Sequence, residues 1–294
     1  MAVCVERISE VRAGVRDARA KGVRVGFVPT MGALHAGHAS LMRAARADGG
    51  FIVVSIFVNP TQFGPGEDMA KYPRLLAADL EVCRREGANL VFAPSAAEMY
   101  PARQGDAVAS PAGFATTVHV AGLTEKMCGA FRPGHFDGVC TVVAKLLEIV
   151  RPDAAYFGEK DAQQLAVVRR MVADLNLPVE IRGCPLVREP DGLAMSSRNA
   201  YLSADERRRA LVLSAALAEA RDALRQGERA AGRIADQVRR RINAADGVNL
   251  EYVAIVDPDT LADLARVEGK VLVAVAAEVG NTRLIDNVLL RDLR

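Results

Sequence analysis

The sequence predicts an α/β fold in two parts: an open parallel sheet with helices on both faces, and a smaller C-terminal α+β domain. Strand-length apolar runs alternate with helical repeats through the first two thirds of the chain, and such alternation implies crossovers between parallel strands. The run Phe51–Val58 is apolar at every position except Ser55, as in a strand buried on both faces. Past about residue 186 the crossovers stop. We therefore expect a Rossmann-like domain over 1–185 and the α+β domain over 186–294.

The elements of the first part are predicted from the spacing of their apolar residues or from a residue that marks their boundary. Apolar residues at helical spacing from Val5 to Val15 predict a helix over 4–20, and Pro29 is expected to end the first strand, Val23–Val28. The later elements are, in order, a helix over 38–47, the strand Phe51–Val58, a polar loop Asn59–Lys71, a helix over 73–86, the strand Asn89–Phe92, a helix over 137–150, a strand over 153–157, a helix over 160–175 and a strand over 179–183.

The second part contains two long helices rich in Arg and Ala, over 203–226 and 230–245. Three short strands follow them, Tyr252–Val256, Val271–Ala276 and Arg283–Asp286. The stretch 102–121 has no clear period and is rich in small residues, so we expect it to be a mobile flap.

Composition excludes several classes of protein. The 294 residues carry a formal net charge of +2, which does not indicate a nucleic-acid surface. No apolar run approaches the ~18 residues that span a bilayer. Five cysteines without a Cys-x-x-Cys pair predict reduced thiols rather than disulfides or a zinc framework. These features together predict a cytoplasmic protein that binds neither nucleic acid nor membrane.

The strongest motif is Pro-Thr-Met-Gly-Ala-Leu-His-Ala-Gly-His over 29–38, between the first strand and the next helix. A helix N-terminus offers unpaired backbone N–H groups and a partial positive charge. His35 and His38 are three residues apart and can face the same side, so the motif predicts a cradle for a polyphosphate. Structural histidines are the plainer alternative. Zinc binding by the pair is a further one, but no third ligand or Glu base is adjacent.

Polar segments follow two other predicted strands. Asn59 and Gln62 come after Phe51–Val58, and their neutral amides suit a carboxylate or hydroxyl. Lys160 and Asp161 open the helix after the strand over 153–157, with Gln164 one turn further on. A lysine there opposes the helix dipole, which anion binding would explain. An ordinary turn and a solvated helix start are the respective alternatives.

The last candidate segment is Met195-Ser196-Ser197-Arg198, where two hydroxyls and a guanidinium suit terminal phosphate oxygens, although a loop with a helix cap is equally consistent. Together the segments describe a nucleotide site without a nucleophile or an obvious general base. Such a site works by positioning and charge neutralisation. This points to nucleotidyl transfer, in which an acid attacks the α-phosphorus of ATP and pyrophosphate leaves.

The motifs resemble, in order, those of the pantothenate synthetase (pantoate–β-alanine ligase) family over nearly the whole chain. Besides the motif over 29–38, the resemblance rests on Phe-Val-Asn-Pro-x-Gln-Phe-Gly-Pro (57–65), Tyr-Pro-Arg (72–74), Arg-Pro-Gly-His-Phe-x-Gly-Val (132–139), Phe-Gly-Glu-Lys-Asp-x-Gln-Gln (157–164), Gly-Leu-Ala-Met-Ser-Ser-Arg-Asn (192–199) and Thr-Arg-Leu-Ile-Asp-Asn (282–287). The family implies a homodimeric ligase using ATP and Mg²⁺. Pantoate and ATP give pantoyl adenylate, and β-alanine then displaces AMP to form pantothenate.

The resemblance also implies roles for individual residues. His38, His35, Lys160 and Arg198 would be catalytic, with His38 a proton donor. Gln62, Gln164, Asn59 and Arg132 would bind pantoate, Gln62 would also contact β-alanine, and Asp79 would contact magnesium. The residues implied in ATP binding are Met31, Gly32, Ala33, Leu34, His35, Ala36, Gly37, His38, Gly158, Glu159, Lys160, Asp161, Val187, Met195, Ser196, Ser197 and Arg198.

Two other classes of protein remain as alternatives at this point. Another nucleotidylyltransferase or a truncated tRNA synthetase would exchange pyrophosphate into ATP with a different acid, and the latter needs a basic RNA-binding face. A nucleotide-binding module without catalysis would bind ATP and exchange nothing.

Overall fold

The computed structural model describes residues 2–101 and 114–293. The chain divides into two compact units. The first comprises Met1–Glu125, Gly129–Glu159 and Val167–Cys184, and the second comprises Lys126–Cys128, Lys160–Ala166 and Pro185–Arg294. The expected domain division at residue 185 itself stays a prediction.

A parallel sheet forms the centre of the first unit. Its strands are β1 (Val3–Val5), β2 (Val25–Thr30), β3 (Phe51–Ile56), β4 (Leu90–Phe92), β5 (Ala154–Gly158) and β6 (Glu180–Cys184). They lie in the order β1-β4-β3-β2-β5-β6, and every neighbouring pair is parallel. The predicted open parallel sheet is confirmed.

Helices connect these strands. They are α1 (Ile8–Ala20), α2 (Ala36–Ala47), α3 (Leu76–Arg85), α4 (Ala96–Met99), α5 (Cys128–Phe131), α6 (His135–Val150) and α7 (Ala162–Asp174). Met42 of α2 and Cys83 of α3 share one apolar cluster with Val28 and Val54 of the sheet. Side chains alternate along a strand, so Phe27 and Val53 point to the other face, and both are fully buried. Helices α1 and α6 contact each other and β2.

Three local expectations were wrong. Residues 3–5 form a strand instead of the start of a helix, because they pair with Leu90–Phe92 of β4. Pro29 lies within β2, where pairing to β5 covers only Gly26 and Phe27, so its missing N–H falls where the strand has one neighbour. Lys160 and Asp161 belong to a 3-10 turn that precedes α7 and do not form the first turn of the helix.

The second unit is an antiparallel sheet covered by two helices. Its elements are α8 (Ala204–Arg225), α9 (Ala231–Asn243), β7 (Val248–Val256), β8 (Gly269–Val279) and β9 (Thr282–Leu293), with the strands in the order β7-β8-β9. Leu217 of α8 and Ile234 of α9 pack with Val273 and Val275 of β8 in one apolar core. The expected α+β architecture is confirmed, although all three strands are longer than predicted.

The expected flap at 102–121 is covered only in part, since residues 102–113 lie outside the described ranges. Within it, the backbone N–H of Val118 donates to Oγ1 of Thr141 in α6 at 3.0 Å. Among the described residues, no helix has the length and apolarity to cross a membrane.

Candidate active site

The loop between β2 and α2 is held by a buried carboxylate. Asp79 of α3 is 2% exposed, and its two oxygens accept the backbone N–H groups of Ala33 at 3.0 Å and Leu34 at 2.7 Å. Gly32 has a positive φ of 85°, and a Cβ there would lie 2.9 Å from Oδ2 of Asp79. Glycine is therefore needed both for the backbone conformation and for the close approach of the carboxylate.

His35 and His38 lie together at the N-terminus of α2. Their ring centroids are 4.1 Å apart. The backbone N–H of Gly37 donates to Nδ1 of His35 at 3.1 Å, and that of His35 donates to Nδ1 of His38 at 3.3 Å. Because both Nδ1 atoms are acceptors, each neutral imidazole carries its proton on Nε2. Two ring N–H donors thus lie at the helix N-terminus where the sequence predicts the cradle.

The amide of Gln62 lies directly beside this loop. Gln62 is 8% exposed, and its Nε2 donates to Sδ of Met31 at 3.0 Å. The Nδ2 of Asn59 donates to Oε1 of Gln62 and to the carbonyl of Gly138, each at 3.1 Å. The Oδ1 of Asn59 accepts the Tyr100 hydroxyl at 2.7 Å. Asn59 is thus committed on both sides and fixes the orientation of Gln62.

The turn that carries Gln62 packs directly on α6. A Cβ at Gly138 would lie only 2.3 Å from the carbonyl oxygen of Thr61. Backbone therefore contacts backbone at this position, and any larger residue would push the turn away from the helix.

Arg132 forms an ion pair close to the same turn. Its NH2 donates to Oε2 of Glu67 at 2.5 Å, and its Nε donates to Oε1 of Glu67 at 2.8 Å. Burial raises the pKa of Glu67, but the hydrogen bond and the charge of Arg132 outweigh burial and hold this pKa below its usual value. The Gln62 carbonyl lies 2.8 Å from Nδ1 of His135 and 3.4 Å from NH2 of Arg132. Arg132 thus braces the Gln62 turn.

The Lys160 segment belongs to the second unit. The Nζ of Lys160 lies 3.8 Å from Oδ1 of Asp161, and the carbonyl of Lys160 accepts Nδ2 of Asn287 in β9 at 2.8 Å. Gln163 is buried and bonds the backbone of residues 126 and 128, while Gln164, the predicted pantoate contact, is half-buried. Of the two adjacent glutamines, Gln163 therefore stabilises the fold through hydrogen bonds to the backbone.

A short hairpin precedes the Met-Ser-Ser-Arg segment. An isolated bridge joins Arg188 to Ala194, and the backbone N–H of Met195 donates to the carbonyl of Val187 at 3.0 Å. Ser196 accepts the backbone N–H of Arg198 at 3.2 Å and so caps the 3-10 turn Ser197–Tyr201. The predicted capping role and the predicted phosphate-binding role are compatible, because Oγ of Ser196 accepts a hydrogen bond in the cap while its hydroxyl hydrogen can still donate to a phosphate.

Several residues of the site were not predicted in their observed roles. Tyr100 and Glu67 fix the Gln62 turn, but neither carries a sequence signal beyond its polarity. Arg188, together with Asp286 and Asn287, braces the Lys160 turn and the hairpin. The motif over 282–287 was the available signal for that cluster.

The fold and these strand-end motifs define the class of protein: an α/β nucleotide-binding enzyme with the histidine motif at the helix after its β2 strand. The sequence model of the pantoate-beta-alanine ligase family matches residues 3–289. The chain is 52% identical over 287 residues to a pantothenate synthetase of Thermoanaerobacter sp. (strain X514), covering 98% of each protein.

Solved structures agree with this assignment. The chain matches the crystal structure of pantothenate synthetase from Thermus thermophilus with a TM-score of 0.89 at 47% identity, covering 98% of this chain and 99% of that one. It also matches the pantoate-beta-alanine ligase from Francisella tularensis complexed with beta-gamma ATP and beta-alanine, with a TM-score of 0.77 at 31% identity and 98% of each chain covered. The chain belongs to the pantoate–β-alanine ligase family and is an enzyme of that family.

Proposed function

We propose that the chain joins pantoate to β-alanine in two steps, of which the first consumes ATP and the second uses the acyl adenylate that it forms. A carboxylate oxygen of pantoate attacks the α-phosphorus of ATP, and the bond to pyrophosphate breaks. The amine of β-alanine then attacks the acyl carbon, the bond to AMP breaks, and the amine loses its proton. The products are pantothenate, AMP and pyrophosphate. Adenylation is needed because AMP leaves an acyl carbon readily whereas a carboxylate oxygen does not.

The observation that carries this proposal is the contact between Gln62 and Met31. A buried neutral amide from the β3 turn touches the first residue of the loop that leads to His35 and His38. A carboxylate beside that amide would stand next to a nucleotide bound at the α2 N-terminus. A neutral amide orients the carboxylate and leaves it nucleophilic, whereas a cation would stabilise it in the ground state.

We assign ATP to the segment Met31–His38, to Gly158–Asp161, and to Val187 and Met195–Arg198. His38 donates a hydrogen bond through its Nε2–H to the phosphate oxygens, and Lys160 neutralises charge that develops as pyrophosphate leaves. His35 and Arg198 add donors to the same phosphates. These groups contribute most where charge builds up in the transition state.

Pantoate is assigned to Gln62 and Gln164, and Gln62 also meets β-alanine. Asn59 and Arg132 affect pantoate binding through Gln62. Asn59 donates a hydrogen bond to the side chain of Gln62, and Arg132 donates one to its backbone carbonyl. A direct contact of either residue with pantoate stays a prediction.

Magnesium is proposed to bind together with the ATP phosphates. Among the described residues, no group of three acidic, histidine or cysteine side chains is arranged to hold a metal. The contact of Asp79 with the ion stays a prediction. Both oxygens of that carboxylate already accept backbone N–H groups, so the ion would have to share them. A homodimer and a cytoplasmic location are likewise proposed from the family.

The proposal is tested by following all products of the complete reaction. Pantothenate, AMP and pyrophosphate should appear in equal amounts, and omission of pantoate or ATP should abolish all three. Omission of β-alanine should abolish pantothenate and stop turnover, leaving no more pyrophosphate than one bound adenylate per active site releases. Replacement of pantoate by amino acids should give no AMP. ADP in place of AMP, or AMP formation driven by amino acids, would contradict the proposal.

A further inference from the structure

A buried polar cluster lies on strand β9, in the motif over 282–287. Asp286 is 3% exposed, and its two carboxylate oxygens accept NH1 of Arg188 at 2.7 Å and NH2 of Arg188 at 3.0 Å. The same guanidinium donates to the carbonyls of Gly192 at 3.0 Å and Asn287 at 3.3 Å. The ion pair therefore ties the hairpin 188–194 to β9.

Asn287 extends this cluster to the Lys160 turn. It is 5% exposed, and its Nδ2 donates to the carbonyl of Lys160 at 2.8 Å. Its backbone N–H donates to Oδ1 of Asp286 at 2.7 Å. Burial raises the pKa of Asp286, while Arg188 and the nearby Lys160 oppose that shift. Two neighbouring residues of one strand thus anchor both the Lys160 turn and the hairpin that leads to Met195.

We propose that Asp286 and Asn287 are positioning residues for the adenylation step, which hold the Lys160 turn and the hairpin 188–194 on one rigid strand. This inference rests on the proposed function of Lys160 and of Met195–Arg198. A 3-10 turn and a hairpin closed by one bridge are weak scaffolds on their own, whereas β9 is paired along its length with β8. A charge that must meet a phosphate needs such support, since a misplacement of about 1 Å lowers a rate by about 100-fold.

The first test is Asn287→Leu, which keeps a similar volume in a buried position and removes the donor to Lys160. We expect its single-turnover adenylation rate to fall by about 10- to 100-fold, with a smaller change in the KM for ATP. Asp286→Asn is the second variant, because it keeps the shape of the side chain and weakens the link to Arg188. Glu251→Gln is the matched control. Oε2 of Glu251 in β7 lies 2.7 Å from NH2 of Arg283, which belongs to β9 like Asp286 and Asn287, but Glu251 contacts neither the Lys160 turn nor the hairpin. It should lower Tm without lowering the adenylation rate.

A double-mutant cycle distinguishes positioning from a general loss of structure. If Asn287 acts through Lys160, Asn287→Leu should lower the adenylation rate much less in a Lys160→Ala background than in the wild-type chain. Equal fold-losses in both backgrounds, or Asn287→Leu and Asp286→Asn variants that melt earlier yet adenylate normally, would overturn the inference while leaving the proposed function intact. If Lys160→Ala alone adenylates normally, the failure lies in the proposed role of Lys160, and the inference falls with it.

Discussion

Replacement of Asp79 by Asn tests whether the loop before α2 is held by the buried carboxylate. The wild-type oxygens accept two backbone N–H groups, at 3.0 and 2.7 Å. Asn keeps one acceptor oxygen and places an NH2 group opposite the other N–H. A hydrogen bond to a charged group contributes about 1.5–3 kcal/mol, so we expect a loss of about 2–3 kcal/mol in the free energy of unfolding. For a unit of this size that corresponds to a fall in Tm of about 4–12 °C.

The assay combines thermal denaturation with adenylation measured over a range of Mg²⁺ concentrations. Glu81→Gln is the control, because Glu81 lies on the same helix with its side chain 71% exposed, and its Tm should hardly change. Asp79→Asn should also adenylate more slowly at saturating Mg²⁺, since Ala33 and Leu34 would be displaced. An unchanged Tm, with a higher Mg²⁺ concentration needed for half-maximal rate, would refute the loop-holding role and favour the predicted metal contact.

Three further predictions concern the site. Gln62→Ala should raise the KM for pantoate by about 10- to 100-fold through loss of one hydrogen bond to a charged acceptor, with the KM for ATP unchanged in steady-state kinetics; the reverse pattern would contradict the assignment. His38→Ala should lower the single-turnover adenylation rate by about 10²–10³-fold, with only the small fall in Tm expected from losing the acceptor of the His35 N–H, and an early-melting variant with a normal rate would instead indicate a structural histidine. Glu67→Gln should lower Tm at pH 7. Because the pKa of Glu67 is lower in the folded than in the unfolded protein, the stability it contributes is present above the unfolded pKa of 4.5 and is lost as pH falls through the folded pKa. The difference in Tm between wild type and variant should therefore shrink below about pH 4.5. A difference that stays constant would show that the ion pair with Arg132 is not the source of this stability.

Much of the fold could be predicted because its strands are buried and its helices are periodic. Phe51–Val58 is apolar at every position except Ser55, and β3 forms there in the centre of the sheet. The strand Val3–Val5 could not be predicted, because it is three residues long and stable only through its pairing with β4. Its apolar residues also continue the spacing of α1, so local periodicity favoured the wrong structure.

The candidate site was predictable as motifs but not as a network of contacts. The positions of His35 and His38 followed from a strand, a glycine and a helix start in sequence. That Asn59 would serve Gln62 could not be inferred, because an amide after a strand is equally suited to a ligand or to its neighbour. Likewise, nothing local in the sequence shows that Asn287 reaches the carbonyl of Lys160, since the two residues are 127 positions apart along the chain.

The central claim, that pantoate is activated as an acyl adenylate, is tested most directly by exchange of labelled pyrophosphate into ATP. Formation of the adenylate is reversible while it stays bound, so exchange should require the enzyme, pantoate and Mg²⁺ and should proceed without β-alanine. Lys160→Ala should show strongly reduced exchange in the same assay. Exchange that begins only when β-alanine is added would contradict a separate adenylation step.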